Sequence, residues 1–344
     1  MKNFPILILI CHFSLFCSCS SSSSIDVPKE IIANKVMGFD EYATDQFVVN
    51  VSDIMVKDDR VLFLDEGLSK VVVMNRDFEA PEFIGERGEG PGELMSPTHL
   101  FQAGDQIYVY DVKNLRIGAL DFSENSIRND MKLPFPIMKV NKSFIEQSIL
   151  YFSTPLEPRV QIQKFDLNQG VLVEGIQLSD NVAQSLFGRN LFQVADGFIG
   201  VKAFDIPVIE TYDQAWKLTN SQSLGEQPLI KKFLNFESPS GGLKVGSNNG
   251  SKPRPVGSGT LTIKCTVMED STMYLLVSTL GEDDKTRANT ILMYKKITDT
   301  WQQSGSIRLP EAGNYSTFAL QPEKNQLIAF NRISSTIEIF DIDE

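Results

Sequence analysis

A pair of strand-like runs that recurs with a period near 46 residues is the feature that most constrains the fold of this chain. Three clear copies occur at residues 61–65 with 70–75, 107–111 with 116–121, and 327–331 with 336–341. In every copy ten residues separate the Asp or Asn that ends the first run from the one that ends the second. Each copy predicts two adjacent antiparallel strands that lead into turns, with Asp65, Asp111 and Asn331 in equivalent places.

The ends of the second runs extend this repeat along the chain. They fall at residues 75, 121, 166, 213, 295 and 341, with gaps of 46, 45, 47, 82 and 46 residues. A unit of this length with about four strands is typical of a propeller blade, and six ends indicate six blades. The long gap has a helix-like run at 228–234 and a Gly/Ser/Asn/Pro-rich stretch, which indicates an insertion of roughly 36 residues rather than a seventh blade.

The repeat predicts an all-β protein, one six-bladed β-propeller of four-stranded antiparallel blades with one inserted segment near residues 214–259. The last clear strand ends three residues before the C-terminus, which leaves the final blade without its outer strand. We expect a strand within residues 31–51 to complete that blade, because closing the ring removes an exposed sheet edge.

The N-terminus has the pattern of an export signal. Lys2 precedes a largely apolar run at 4–16 that is too short to span a bilayer. The Ser18-Cys19 pair that follows resembles a bacterial lipobox, in which a small residue precedes the lipidated cysteine. The resemblance implies a signal peptide over 1–18, a tether over 19–30, one propeller domain over 31–344, and attachment to the membrane through a lipid on Cys19. An ordinary secretory signal cleaved nearby is the alternative.

Charge limits the possible partners. The whole chain has a net charge of −12, and cleavage before Cys19 removes Lys2 and brings the charge to −13. Nucleic acid and anionic lipid repel so acidic a chain, so we expect neither as a direct partner. The residues from Ser20 to Ser24 are all serine. They lack the acidic cluster that resembles a surface-export signal, which favours an outer-membrane anchor facing the periplasm.

A glycine-rich connector lies between the first two repeats, and its turn-forming residues are Gly85, Gly88, Gly90, Pro91 and Gly92. Pro91-Gly92 suits the centre of a type II turn, whose second central residue needs a positive φ. The motif, which ends at Pro97, resembles the inter-blade connector of NHL-type propellers, and more narrowly that of six-bladed β-propeller lipoproteins of Bacteroidota. The resemblance implies the fold and little about function. A phosphate-binding loop is the alternative, but it lacks the Gly-Lys-Ser/Thr ending of a P-loop.

Catalytic residue types are scarce. After cleavage and lipidation of Cys19, His99 and Cys265 remain as the single histidine and free cysteine, which excludes a multi-histidine metal site and an intramolecular disulfide. We expect Cys265 to be a buried thiol rather than a nucleophile, and His99 to be packed or capping.

These residues favour a non-catalytic binding or scaffold protein of the cell envelope, with no cofactor and no metal, that contacts a protein, a peptide or a glycan. The question of catalysis stays open at this point. The alternative is a hydrolase or lyase with an acidic axial site, in which Ca²⁺ would be the cofactor to consider.

Two sets of charged residues are candidate ligand contacts. The first is a group of basic residues in the insertion, namely Lys231, Lys232, Lys244, Lys252 and Arg254. Loops on a rigid scaffold often carry function, although a solvated loop is the alternative. The second set comprises the pairs Asp65/Lys70 and Asp111/Arg116, which we interpret as turn caps and inter-blade pairs rather than ligand contacts.

Overall fold

The computed structural model of the chain describes residues 28–139, 141–154, 160–178, 188–204, 206–234, 262–269, 271–280, 285–298 and 300–342, and the backbone of 243–245 and 254–256. Six blades of four antiparallel strands form a β-propeller, and a fifth, parallel strand is added to one of these sheets. The predicted fold class is therefore confirmed. The proposed signal peptide and Cys19 lie outside the described residues.

The blades follow one another along the chain. Blade 1 consists of Val51–Lys57, Arg60–Asp65, Lys70–Asn75 and Glu82–Ile84, and blade 2 of Pro97–Ala103, Gln106–Asp111, Arg116–Asp121 and Ser126–Lys132. Blade 3 consists of Phe144–Glu146, Ile149–Ser153, Ile162–Asp166 and Val171–Ile176, and blade 4 of Asn190–Val194, Gly197–Lys202, Val208–Tyr212 and Leu218–Ser223. Blade 5 consists of Ile263–Glu269, Thr272–Leu280, Thr286–Ile297 and Thr300–Arg308, and blade 6 of Tyr315–Gln321, Gln326–Asn331, Thr336–Asp341 and the N-terminal Asn34–Phe39.

Short elements complete the description. They are the strands Lys29–Ile32, Glu41–Ala43, Gln46–Phe47, Glu86–Arg87, Glu93–Leu94, Leu243–Val245 and Arg254–Val256, the α-helix Pro228–Leu234 and the 3₁₀ helix Pro322–Lys324. Among the described residues, no helix is long and apolar enough to cross a membrane.

The N-terminal segment closes the ring, as the incomplete last repeat predicts. Asn34–Phe39 pairs antiparallel with Thr336–Asp341 and supplies the outer strand of blade 6. The preceding strand, Lys29–Ile32, pairs in parallel with Thr300–Arg308 of blade 5. Within the described residues sheet pairing begins at Lys29, and blades 5 and 6 both pair with the same short stretch of chain.

The core lies between the blades. Because each blade is packed on both faces, its middle strands are apolar at successive positions instead of alternating, and Val71 and Val72 are both fully buried. One interface brings Leu62 and Leu64 of blade 1 together with Leu100 of blade 2. This packing explains why the middle strands carry the repeat in the sequence.

Asp65, Asp111 and Asn331 occupy equivalent places at the ends of the second strands, as predicted. Each is paired with the first residue of the inner strand of its own blade. The Asp65 carboxylate accepts hydrogen bonds from the backbone N–H groups of Val49, Asn50 and Leu68 at 2.9–3.1 Å. Asp111 likewise accepts from four backbone N–H groups. These side chains hold loops in place, which agrees with our interpretation of them as caps.

The basic members of the two predicted pairs contact residues of the outer strands of their own blades. The Lys70 ammonium lies 5.6 Å from the ring centroid of Phe83. The Arg116 guanidinium donates to Asp130 at 2.7 Å. These contacts agree with our interpretation of Lys70 and Arg116 as structural residues.

The glycine-rich connector forms the predicted turn between blades 1 and 2. The Glu93 N–H donates to the carbonyl of Gly90 at 3.1 Å, which closes a four-residue turn around Pro91 and Gly92. Gly92 has φ +76°, as a type II turn requires at this position. A Cβ on Gly92 would lie 3.0 Å from the backbone oxygen of Ile127, so the position favours glycine for both reasons.

Gly92→Val should lower the melting temperature, because a β-branched residue in the left-handed region costs about 1–2 kcal/mol and the new side chain would also crowd Ile127. Gly104→Val is the matched control, since Gly104 has φ +59° and open space around its Cβ position. We expect differential scanning calorimetry to show the larger decrease for Gly92→Val. An unchanged melting temperature for Gly92→Val would contradict the turn assignment.

The inserted segment begins later than predicted. Residues 218–223 form the outer strand of blade 4, so the insertion follows Ser223 and does not start at 214. The sequence missed this strand because its pattern, LTNSQS, is mostly polar. The helix Pro228–Leu234 buries Ile230 and Phe233, and Ile230 packs in a cluster with residues of blades 4 and 5.

Candidate ligand-binding pocket on the propeller axis

A cavity of about 340 Å³ opens where the innermost strands begin, and we call this side of the ring the upper face. The strands run in the same direction in every blade, so their first residues and the preceding connectors meet around the axis. The lining residues are Asn50, Val51, Ser52, Thr98, His99, Lys139, Lys142, Asn190, Lys264, Cys265, Ser316, Thr317 and Arg332. We call this cavity the axial pocket.

The axial pocket is basic. Four of its lining residues are cations, Lys139, Lys142, Lys264 and Arg332, and in the part of the chain that the structure describes none is a carboxylate. The alternative that placed an acidic site on the axis is therefore not supported. No group of three or more potential metal ligands occurs among the described residues either.

Lys142 reaches across the axis to the inner strand of blade 1. Its ammonium pairs with the carboxylate of Asp53, which also accepts hydrogen bonds from the N–H groups of Ile54 and Leu100 at 3.0 Å. The backbone N–H of Lys142 donates to the Asn190 side chain at 2.8 Å, which fixes the connector. Burial disfavours the charged ammonium, but the charge of Asp53 outweighs burial and raises the pKa of Lys142.

Lys139 is held at the rim of the pocket by Glu66. The Glu66 carboxylate pairs with the Lys139 ammonium and accepts hydrogen bonds from Asn50 at 2.8 Å and from Ser96 at 2.5 Å. Partial burial opposes ionisation, but these hydrogen bonds lower the pKa of Glu66. Two of the four cations are thus already paired with carboxylates of blade 1.

Lys264 and Arg332 differ from the other two cations. Within the described residues, no carboxylate lies within ion-pairing distance of either. Burial and the nearby charge of Arg332 lower the pKa of the Lys264 ammonium. The pocket thus holds two neighbouring like charges, from blades 5 and 6, that form no ion pair with a described carboxylate, although the charge of Arg332 also acts on Glu66.

His99 and Cys265, the one histidine and the one cysteine among the described residues, have no nucleophilic arrangement. His99 is buried, stacks on Phe101 at 5.7 Å between centroids, and approaches the Thr98 hydroxyl at 2.9 Å through Nδ1. Burial lowers the pKa of His99 to about 4, so the ring is neutral at physiological pH. Burial also raises the pKa of the Cys265 thiol, whose sulfur lies 3.9 Å from the Thr317 hydroxyl. Both residues are buried, as the sequence predicts.

Among the basic residues of the insertion, the two whose side chains the structure describes, Lys231 and Lys232, do not line the pocket. Lys231 and Lys232 are exposed on the short helix, where Lys231 pairs with Glu226. Lys244 and Arg254 lie on the two strands of a small hairpin, and Lys252 is outside the described residues. The pocket residues were missed because they come from seven separate segments and form no motif in the sequence.

Fold and site together define a six-bladed β-propeller with a basic axial pocket. Residues 42–169 match the family model DUF5128, described as "6-bladed beta-propeller". None of the curated proteins matches the chain. The narrower resemblance to Bacteroidota lipoproteins and to NHL-type connectors stays a prediction.

Solved structures support the fold over most of the chain. A putative exported protein from Bacteroides fragilis NCTC 9343 has 13% identity and a TM-score of 0.54, over 92% of this chain and 99% of that one. Hydrazine synthase from Kuenenia stuttgartiensis has 12% identity and a TM-score of 0.53, over 86% of this chain and 78% of that one. At these identities the similarity shows the fold alone.

Proposed function

We propose that this protein is a lipid-anchored binding protein of the cell envelope, and that its axial pocket binds an anionic group of a peptide or glycan without transforming it. One observation carries the proposal. Lys264 and Arg332 face the same cavity, and no carboxylate in the described part of the chain neutralises them.

The electrostatics favour an anionic ligand. Two neighbouring like charges repel each other, and an anion between them would relieve that repulsion. The chain as a whole is acidic, so the local excess of cations stands out against a negative background. An anion would therefore be attracted to this one opening more than to the rest of the surface.

The size of the cavity limits what part of a ligand can enter. At about 340 Å³ it is at the lower end of the range of small-molecule sites. One sugar residue or the end of a peptide would fit such a space, whereas the surface of a folded partner would not. A buried neutral imidazole and a buried thiol with a raised pKa support binding rather than nucleophilic catalysis.

Direct binding measurements test the pocket. We expect at least one of three simple anions, phenyl phosphate, phenyl sulfate or benzoate, to bind with one-to-one stoichiometry in calorimetric titrations. Benzyl alcohol, an uncharged analogue, should not bind. Lys264→Met should weaken the binding by about tenfold, because a hydrogen bond to a charged group contributes about 1.5–3 kcal/mol.

Lys295→Met is the matched control for charge. Lys295 is exposed on the third strand of the same blade and does not line the cavity. Its replacement should leave the affinity unchanged. The proposed function would be contradicted if none of the three anions bound, or if the alcohol bound as tightly as they did.

The anchor is tested separately. Cys19→Ala should move most of the protein from the membrane fraction to the soluble periplasmic fraction, because the acidic mature chain has no other proposed attachment to a bilayer. Cys17→Ala is the control, since Phe16 before Cys17 does not suit a lipobox. Immunoblots of fractionated cells make the comparison, and a Cys19→Ala variant that stays wholly with the membrane would contradict the lipid anchor.

A further inference from the structure

We propose that the axial pocket selects a doubly charged anion, the group that a phosphate monoester carries, over a singly charged one. The inference rests on the proposed function in assuming that the pocket binds anions. It adds the charge and the chemical class of the ligand.

The balance of charges around the cavity carries this inference. Four cations line it, and two of them are compensated, Lys142 by Asp53 and Lys139 by Glu66. His99 is buried and neutral, and the Cys265 thiol is protonated. Among the described residues, the pocket is therefore left with two positive charges.

Other carboxylates near the upper face do not alter this balance. Asp65 and Asp111 are not lining residues, and both carboxylates accept hydrogen bonds from backbone N–H groups. Glu66 also lies near Arg332 and interacts with its charge, but its oxygens bond to Lys139, Asn50 and Ser96. The uncompensated charges are those of Lys264 and Arg332.

The hydrogen-bond donors match the same group. A guanidinium offers a planar fork of N–H donors and an ammonium offers three more, which suits the several oxygens of a phosphate. The Arg332 backbone is held by a hydrogen bond from its N–H to the Asn314 carbonyl at 3.0 Å. The lining hydroxyl of Ser316 is buried and has no hydrogen-bond partner within the described chain. A phosphate oxygen would give this hydroxyl a partner.

A monoanion would leave one of the two positive charges without a counter-charge in the cavity. A dianion neutralises both, and the gain is larger in a recessed site than in open water because the surroundings screen charges less. We expect the dianion to bind at least about tenfold more tightly, the ratio that one further charged hydrogen bond provides.

The chemistry points to a soluble phosphate ester rather than a lipid headgroup. The cations surround the opening of the ring, with Lys142 and Lys264 partly buried and Lys139 and Arg332 exposed at its rim. The acidic chain around them would be repelled by an anionic bilayer. A small ester can enter the opening without bringing a membrane surface to the protein.

Phenyl phosphate and phenyl sulfate form a matched pair of probes, because they have similar shape and different charge. The sulfate ester is a monoanion at all relevant pH, whereas the phosphate ester is a dianion above its second pKa of about 6. At pH 8, calorimetric titration of the purified chain should show phenyl phosphate binding at least about tenfold more tightly. At pH 5 the affinities should converge, because the phosphate ester has then gained a proton.

Two titratable groups beside the pocket keep their charge state between these pH values. Glu66 stays ionised at pH 5 because its pKa is lowered, and His99 stays mostly neutral because its pKa is about 4. Lys264→Met should reduce the preference at pH 8 to near unity, and Lys295→Met should preserve it. Equal affinities for the two esters at pH 8, with binding retained, would overturn dianion selection and leave the proposed function standing.

Vesicles separate the two sources of the phosphate group. Vesicles of phosphatidylcholine with phosphatidic acid present a phosphate monoester on a bilayer, and a chain with Cys19→Ala removes the proposed lipid attachment. We expect no co-sedimentation with these vesicles. Co-sedimentation that phenyl phosphate abolishes would overturn the assignment to a soluble ester.

Discussion

Removal of residues 1–39 should abolish cooperative thermal unfolding, whereas removal of residues 1–27 should leave the melting temperature unchanged. The longer deletion takes away both N-terminal strands, Lys29–Ile32 and Asn34–Phe39. The shorter one keeps both. The comparison therefore isolates the contribution of two strands that close the ring between blades 5 and 6.

The expected loss of stability is large because the deleted segment contributes buried side chains to the core as well as hydrogen bonds to the sheets. Ile31 and Ala33 are buried beside blades 5 and 6, and burying a side chain such as isoleucine stabilises by about 1.5–3 kcal/mol. Phe39 packs edge-on against Phe63 at 6.1 Å between centroids. Loss of the strand Asn34–Phe39 also exposes the edge of Thr336–Asp341, which can then pair with other chains.

The free energies of several such contacts together approach the whole free energy of unfolding of a domain, about 5–15 kcal/mol. Circular dichroism during heating and size-exclusion chromatography provide the readouts. We expect the longer deletion to give a broad transition and large aggregates. A sharp transition at the temperature of the shorter deletion, with a monomeric elution volume, would show that blade 6 does not need its N-terminal strand.

The sequence predicted the middle of each blade better than its outer edge. Lys70–Asn75 and Thr336–Asp341 are packed on both faces, so their apolar runs and the Asp or Asn that precedes each loop are required by the fold. Outer strands are partly solvated and need no such pattern. Ser126–Lys132 and Leu218–Ser223 are mostly polar, and they were found only in the structure.

The pocket was harder to predict because the ring assembles it from distant segments. Arg332 follows the cap Asn331 directly, just as Glu66 follows the cap Asp65, and both side chains lie at the upper face. The register of the repeat could therefore have indicated that a residue after a cap reaches the axis. Lys139 and Lys142 lie in an irregular connector, where no register applies. Which charges face one another follows only from ring closure.

Replacing Glu210 with leucine should destabilise the protein by about 3–5 kcal/mol, because breaking a buried ion pair leaves a charge without its counter-charge. Arg189 and Glu210 are each 1% exposed, and Arg189 Nε lies 2.5 Å from Glu210 Oε2. The same carboxylate accepts a hydrogen bond from the Tyr212 hydroxyl at 2.7 Å and lies 3.4 Å from the Lys202 ammonium. Glu210 is thus the common anion of two cations inside blade 4.

This arrangement predicts an asymmetry between the two halves of the pair. Glu210→Leu removes the counter-charge of both Arg189 and Lys202, whereas Arg189→Met leaves Glu210 its contacts with Lys202 and Tyr212. We therefore expect Arg189→Met to cost less. The double variant should be less destabilised than the sum of the single variants. It lacks both members of the Arg189–Glu210 pair, so neither charge of that pair is left buried without the other. Urea denaturation of the four proteins measures this coupling, and additive free energies, or a Glu210→Leu variant as stable as the parent, would show that the network contributes nothing to the folded state.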